Sequence, residues 1–247
     1  MLGARRHVES SLFTSHVSRL ASHIWQMIVT LNELSPAERQ RWLNPLIAPR
    51  PIAFVSTIGA DGLGNLAPFS YFAMGGDNPQ SVAFCPIADR DGNPKDTLRN
   101  VKATGECTIN IVSRAMAEGV NAASATFPYG VDEFDQVPFT REPSQLVKPP
   151  RVAESPAAME CRVFQIVPHG SGPLHATWVI CEVLLLRVKD EVIAGDGYPD
   201  TALVHPAARM GRNEWAHVTP EVTFKLERPT MPPGMEGMPA PRRTLGQ

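Results

Sequence analysis

The chain has 247 residues, 43% of them hydrophobic and 19% charged, and its 23 basic and 25 acidic side chains leave a formal net charge of −2. This balance argues against a nucleic-acid-binding protein, which usually carries a basic excess. The charge is too low for a disordered chain, and no apolar run approaches the roughly 18 residues of a membrane span. We therefore expect a soluble, cytoplasmic globular protein that binds neither nucleic acid nor a membrane.

The two ends of the chain differ in composition from its centre. Apolar residues recur at helical spacing from Val17 to Ile28, which predicts an amphipathic or loosely ordered extension over residues 1–33. No signal-peptide pattern is present, and an organelle presequence is a second interpretation of this basic segment. Residues 229–247 contain five prolines and little apolar pattern, which is typical of a disordered tail. One domain is predicted between them, over residues 34–228.

The central domain begins with a helix signal and continues with strand signals. Ser35 is a favourable N-cap, Pro36 suits the first helical position and Glu38 completes a capping box, so a helix is predicted from Pro36 to about Leu43. Short apolar segments separated by Gly and Pro then predict strands; these cover residues 51–58, 66–74, 81–87, 106–113, 159–167 and 178–188. Helices are predicted over residues 96–105 and 114–123, and residues 124–156 form a long irregular loop.

One proline lies inside a predicted strand. Pro68 cannot donate a main-chain hydrogen bond, so its strand must lie at a sheet edge or contain a bulge that leaves backbone groups free. The preceding Asp61-Gly62 pair favours a hairpin turn. The predicted architecture is therefore mainly β with short helices, an antiparallel, Greek-key-like barrel.

Several familiar motifs are excluded by their context. Residues 62–67 match the letters of the dinucleotide fingerprint G-x-G-x-x-A, but a strand follows where that motif requires a helix. His169 and His175 flank a predicted hairpin loop, and a metal site there is disfavoured. The four cysteines form no C-x-x-C pair, so we predict reduced, buried thiols and no metal. No nucleophile-base pattern supports hydrolase chemistry.

Six short stretches form a recognisable series when they are read in order: residues 50–57, 65–72, 95–100, 121–124, 130–134 and 209–215. No single stretch is specific, but their combined order is. Together they resemble the flavin reductase-like family, whose fold is the FMN-binding split barrel, and the resemblance covers about residues 34–229. It implies an FMN cofactor, or alternatively FAD, with NAD(P)H as electron donor, and a homodimer that passes electrons to free flavin, oxygen, iron or a partner oxygenase.

The resemblance also implies a set of cofactor-binding residues. Hydride chemistry belongs to the flavin, so no catalytic side chain is assigned. The implied flavin contacts are Ser56, Thr57, Asn65, Ala67, Pro68, Phe69, Ser70, Tyr71, Lys95, Asp96, Thr97, Asn121, Ser124 and Arg209. Two positions depart from the family pattern: Arg212 replaces a glycine and Trp215 replaces a tyrosine in the closing segment.

Elementary electrostatics agrees with part of this set. Lys95 brings positive charge to the predicted start of a helix, Thr97 adds a hydroxyl in its first turn, and helix N-termini favour anions such as the FMN phosphate. Asp96 is interpreted as the cap of that helix. Free N–H groups between Ala67 and Tyr71 are positioned to bond the N5, O4 and N3 edge of the flavin ring.

Three functions are compatible with these sequence features. The first is an NAD(P)H-dependent flavin reductase that passes hydride to flavin N5. The second is an FMN electron-transfer protein without a pyridine nucleotide site, and the third is a non-enzymatic flavin-binding split barrel. The sequence leaves open the choice between NADH and NADPH and the final electron acceptor.

Overall fold

The computed structural model describes residues 27–128 and 130–227. The predicted N-terminal helical pattern before residue 27 and the predicted disordered tail from residue 229 lie outside these residues. None of the described helices is both long and apolar enough to cross a membrane.

The helices are short and their ends follow from local sequence. Helix α1 has the predicted capping box, in which Ser35 accepts a hydrogen bond from the Glu38 main-chain N–H, and it extends one turn beyond the predicted end. Helix α2 ends at Gly105, whose φ of 71° suits the left-handed C-cap. The segment predicted as one helix over 114–123 is a 3-10 turn followed by α3. The helices are α1 (Pro36–Leu46), α2 (Asp96–Thr104), α3 (Ala117–Ala122) and α4 (Thr201–Val204).

Twelve strands are described, and every pairing between them is antiparallel. They are β1 (Arg50–Pro51), β2 (Ala53–Ile58), β3 (Gly64–Phe69), β4 (Phe72–Asp77), β5 (Gln80–Phe84), β6 (Glu106–Ile111), β7 (Arg141–Glu142), β8 (Arg151–Val152), β9 (Ala157–His169), β10 (Ala176–Val188), β11 (Ala207–Arg209) and β12 (Trp215–His217). Seven form one sheet in the order β3-β2-β6-β9-β10-β5-β4, and β1, β11 and β12 form a second sheet. This mainly antiparallel architecture with few helices is the split barrel.

The proline-containing segment lies at an edge, as predicted. Strand β3 pairs only with β2 in the seven-stranded sheet, where Pro68 lies opposite Phe54. The prediction of one continuous strand over 66–74 was wrong, because the chain breaks at Ser70 and Tyr71 and continues as β4 on the opposite edge. Pro68 has no main-chain N–H to donate to a neighbouring strand. At the edge of a sheet no strand on that side needs this hydrogen bond, so proline is tolerated there.

Two apolar clusters fill the interior on the two faces of β2 and β3. One contains Val55, Phe84 and Ile109 and packs against α2 through Leu98. The other contains Phe54, Leu66 and Val120 and covers the face towards α3. All four cysteines are free and buried, as predicted. Hydrogen bonding to neighbouring thiols and burial raise the pKa of Cys107, whose Sγ lies 3.8 Å from that of Cys181.

Candidate functional site

A cleft opens where the end of β3, the helix α3 and the hairpin of β11 and β12 approach one another. Its first lobe has a volume of about 200 Å³ and brings together five of the predicted site residues, Pro68, Ser70, Asn121, Ser124 and Arg209. These residues come from three distant parts of the chain. A second lobe of about 640 Å³ shares Asn121 and Arg209 with the first and extends towards Arg114 and His217.

Apolar side chains complete the first lobe. Ile52 and Val120 line it together with Trp215. The indole ring of Trp215 lies against the guanidinium of Arg209, whose Cζ is 5.0 Å from the ring centroid. The sequence marks Trp215 only as a departure from the family pattern and gives no signal for Ile52 and Val120, because an apolar residue in a strand or helix is ordinarily a core residue.

Ser70 offers two donors at the break between β3 and β4. Within the two described ranges, neither its main-chain N–H nor its hydroxyl has a hydrogen-bond partner. The neighbouring Pro68 has no N–H, and Leu66 donates its own to the Glu133 carboxylate at 3.0 Å. At this end of β3, the donors available to a ligand are therefore the main-chain N–H and the hydroxyl of Ser70.

Arg209 is the positive charge shared by both lobes. Partial burial, and then the positive charge of Arg50, lower the pKa of Arg209. Its Nη2 donates to the Arg212 carbonyl at 2.9 Å, and no carboxylate among the described residues pairs with it. On the opposite wall, Ser124 Oγ donates to the Asn121 carbonyl at 2.6 Å, which closes the end of α3. The cleft thus contains an uncompensated cation.

A second group of predicted residues is buried away from the cleft. Ser56, Thr57 and Thr97 have no exposed surface, and Asn65 is almost as buried. The Asn65 amide donates to Thr97 Oγ1 at 2.8 Å, and the Asn100 amide donates to Thr57 Oγ1 at 3.0 Å. These side chains attach α2 to the ends of β2 and β3. Ser56 faces the other core cluster, and its buried hydroxyl lacks a partner among the described residues.

The start of α2 differs in detail from the prediction. Lys95, not Asp96, occupies the N-cap position, so the assignment of Asp96 as the cap was wrong. Asp96 is the first helical residue, and its carboxylate forms an ion pair with Arg99 one turn later, which competes with capping. Lys95 is exposed, and no described carboxylate forms an ion pair with it. Its ammonium is free to bind an anion.

Acidic side chains surround this helix start. Burial, together with the negative charges of Asp96 and Asp132, raises the pKa of Glu133, although the hydrogen bond from Leu66 opposes this shift. An added Cβ at Gly64 would collide with the Asp132 carboxylate. Strand β3 is therefore covered along its edge by the turn that carries these carboxylates.

The two groups of predicted residues lie on opposite faces of β3. Asn65 pairs with Thr57 on the face that packs against α2, whereas Pro68 pairs with Phe54 on the face towards α3. Ala67 and Phe69 share the first face and belong to its core cluster. Tyr71 follows the break, and its hydroxyl donates to Asn44 Oδ1 at 3.2 Å. Lys95 and the cleft therefore lie on opposite sides of β3. A ligand that contacts both would have to pass around the end or the edge of this strand.

The two histidines considered in the sequence lie at the loop between β9 and β10. His169 and His175 lie at the two ends of the β9–β10 hairpin loop, where His175 Nδ1 is 2.7 Å from the Gly172 carbonyl oxygen. Over residues 27–128 and 130–227, no group of three or more His, Cys, Asp or Glu side chains is arranged to hold a metal ion.

Fold and cleft together define a class of protein. A split barrel presents a cleft with an aromatic ring, a guanidinium and the two donors of Ser70, and within residues 27–128 and 130–227 the guanidinium has no carboxylate partner and the Ser70 donors have no acceptor. Such a donor set fits a flat, amphipathic and anionic ligand with hydrogen-bonding edges, and a flavin mononucleotide has all of these properties. The molecule is therefore a split-barrel protein whose cleft has the chemistry for a flavin.

Comparison with known proteins identifies the family. Residues 47–209 match the family described as Flavin reductase like domain, and the chain belongs to this family. An uncharacterized protein of Deinococcus radiodurans is 37% identical over 207 residues, which cover 81% of this chain and 88% of the relative. The closing residues Arg212 and Trp215 lie beyond the matched range.

Two solved structures extend the comparison. Nitrilotriacetate monooxygenase component B from Bacillus cereus superposes with a TM-score of 0.76 at 25% identity, covering 81% of this chain and 98% of that one. The 2-nitrobenzoate 2-nitroreductase NbaA of Pseudomonas fluorescens gives 0.74 at 25% identity, covering 83% and 98%. The similarity extends over nearly the whole length of both structures.

Proposed function

We propose that this protein is an FMN-dependent oxidoreductase that takes electrons from NAD(P)H, that is, a flavin reductase. The observation that carries the proposal is the cleft in which Ser70, Asn121 and Arg209 meet beside Trp215. When bound there, FMN supplies the hydride-accepting chemistry. The protein's part is to hold the flavin, to orient it and to exclude water.

Ser70 and Arg209 in the cleft, and Lys95 outside it, contact different parts of the flavin. The free N–H and hydroxyl of Ser70 donate to the edge of the flavin ring, and Arg209 stabilises negative charge on the ring. Lys95, exposed at the start of α2, binds the phosphate around the end of β3. Thr57, Asn65 and Thr97 keep α2 in place for this contact.

A homodimer is part of the proposal. An apolar groove of about 420 Å³ lies beside β4, β5 and β10, and its lining includes Met74, Val183 and Leu186. Met74 is 77% exposed and Leu186 is 57% exposed. A contiguous patch of large exposed apolar side chains is uncommon on a monomer and is typical of an interaction surface. A second copy of the chain would cover this groove.

The electron acceptor is proposed from the relatives. The Bacillus cereus structure is a component of a nitrilotriacetate monooxygenase. By analogy, this protein passes reduced flavin to a partner oxygenase, and free flavin, oxygen and iron remain alternative acceptors.

One assay tests the proposal. The purified protein is mixed with FMN, the bound flavin is measured by its absorbance, and NADH or NADPH oxidation is followed with and without added FMN. We expect FMN uptake and nucleotide oxidation that increases with added FMN. Bound flavin that neither nucleotide reduces would indicate the electron-transfer protein instead, and failure to bind FMN would refute flavin-dependent function altogether.

A further inference from the structure

A third lobe continues the cleft away from Ser70. It has a volume of about 770 Å³, lies beside α4, and shares Arg114 and His217 with the second lobe. The first and second lobes in turn share Arg209, so each lobe adjoins the next, and we call this row of three lobes the groove. The groove leads from the proposed flavin site to the surface between α4 and the turn before it.

The charges change sign along this groove. Arg209 lies at the junction of the first two lobes, and Arg114, paired with Glu118 at 2.8 Å, lies at the junction with the third. Two acidic residues, Glu154 and Glu191, are among those that line the third lobe. Its remaining lining is largely apolar and includes Val192, Leu203 and Val204.

Lys189 compensates the negative charge of only one of these two glutamates. Lys189, which does not line the lobe, lies with its Nζ 3.8 Å from Glu191 and 3.4 Å from the Glu154 carbonyl oxygen. The Glu154 carboxylate accepts two contacts from the Thr140 N–H, at 3.1 and 3.0 Å, which hold it in position. Glu154 has no ion-pair partner among the described residues. The two histidines of this lobe are His205 and His217.

We propose that the third lobe binds the adenosine half of the pyridine nucleotide and selects NADH over NADPH, an inference that rests on the proposed function. The adenine packs on Leu203 and Val204, and Arg114 lies where the pyrophosphate passes. A carboxylate in such a site accepts hydrogen bonds from the ribose 2′-hydroxyl, which NADH has. The 2′-phosphate of NADPH would instead meet the carboxylates of Glu154 and Glu191, and this repulsion gives the selectivity.

The test measures nucleotide binding directly. NAD⁺ and NADP⁺ are titrated by calorimetry into the full-length, FMN-saturated protein, in which neither oxidised nucleotide reacts. We expect NAD⁺ to bind at least tenfold more tightly. The Glu154→Gln/Glu191→Gln double variant keeps an acceptor for the Thr140 N–H and should reduce this preference at least fivefold, mainly through tighter NADP⁺ binding.

A matched control removes a charge elsewhere. Asp91 is exposed and lines none of the three lobes, so Asp91→Asn should leave the preference unchanged. Tighter binding of NADP⁺ than NAD⁺ by the wild-type protein, or an unchanged preference in the double variant, would overturn the inference while leaving the flavin reductase proposal intact. FMN binding without binding of either nucleotide would overturn the inference and the pyridine nucleotide donor together.

Discussion

Arg50 and Arg209 lie directly opposite each other in the antiparallel pair of β1 and β11. Like charges in this arrangement repel, and the positive charge of Arg50 contributes to the lowered pKa of Arg209. Arg50 is buried and donates to the carbonyl groups of Ile47 and Met210, at 2.9 and 2.7 Å. These hydrogen bonds hold the segment around Met210 against the end of α1. Arg209, in contrast, has no acidic partner in the described chain. Negative charge on a bound ligand would offset the repulsion.

Arg209→Ala should weaken flavin binding. Loss of a charge-assisted contact at this site should raise the Kd for FMN and for riboflavin by about tenfold each, since we place Arg209 beside the ring that both share. Fluorescence quenching of each flavin measures the two constants. Arg90→Ala, at an exposed position outside the cleft, is the control. Unchanged riboflavin binding with weakened FMN binding would instead assign Arg209 to the phosphate.

Lys95→Ala tests the phosphate position. Lys95 is exposed and caps α2 without a side-chain hydrogen bond, so its truncation leaves the described contacts of the helix in place. FMN affinity should fall about tenfold, whereas riboflavin, which lacks the phosphate, should bind as before. If both affinities stayed the same, the phosphate would lie within the cleft and not at the start of α2.

Thr97→Val should destabilise the fold. The substitution keeps the shape of the side chain but removes the acceptor of the buried Asn65 amide. An unsatisfied buried donor costs about 1–3 kcal/mol in the free energy of unfolding. Urea denaturation measures this loss, with Thr140→Val at an exposed position as control. A change below about 0.5 kcal/mol would mean that Asn65 finds another partner.

Glu133 should make stability depend on pH. Burial raises its pKa in the folded protein, so the folded state holds the proton more tightly than the unfolded chain. Unfolding therefore releases protons from the ordinary carboxyl range near about 4.3 up to the raised pKa, and the stability contributed by this group decreases as pH rises through that interval. Glu133→Gln removes this dependence and retains an acceptor for the Leu66 N–H.

The measurement compares urea unfolding of both proteins between about pH 4 and pH 8. The stability of the wild type relative to Glu133→Gln should fall with rising pH and then level off. The exposed Asp91→Asn variant controls for the general change in charge. A constant difference between wild type and Glu133→Gln across the range would contradict the raised pKa.

The apolar groove beside β4, β5 and β10 predicts a dimer interface. A charged side chain placed in this groove should disrupt the dimer. The wild-type chain should have a mass about twice 26.9 kDa in light scattering. Leu186→Asp should shift the protein towards the monomer, because a carboxylate buried at an interface is strongly disfavoured. Leu63→Asp, at an exposed position in the β2–β3 hairpin, should leave the mass unchanged. A wild-type monomer would refute the dimer proposal.

Local signals in the sequence predicted most elements, since they depend on neighbouring residues. The capping box of Ser35 and Glu38, the glycine that ends α2 and the edge position of Pro68 are all present. The errors were also local: the strand over 66–74 is two strands, and Lys95 takes the cap position predicted for Asp96. The pairing of β4 with β5 decided the first outcome, and an ion pair of Asp96 with Arg99 within one turn of α2 decided the second.

The amino-acid order by itself determined the fold class, the strand-rich architecture and the family resemblance, because turn chemistry, capping and strand propensity act over a few residues. Only the tertiary structure decided which candidate residues share a space. It joined Ser70, Asn121 and Arg209 in one cleft and placed Asn65 and Thr97 in a buried contact on the other face of β3. The physical reason is that alternate residues of a strand face opposite sides, and what covers each side depends on elements distant in the chain.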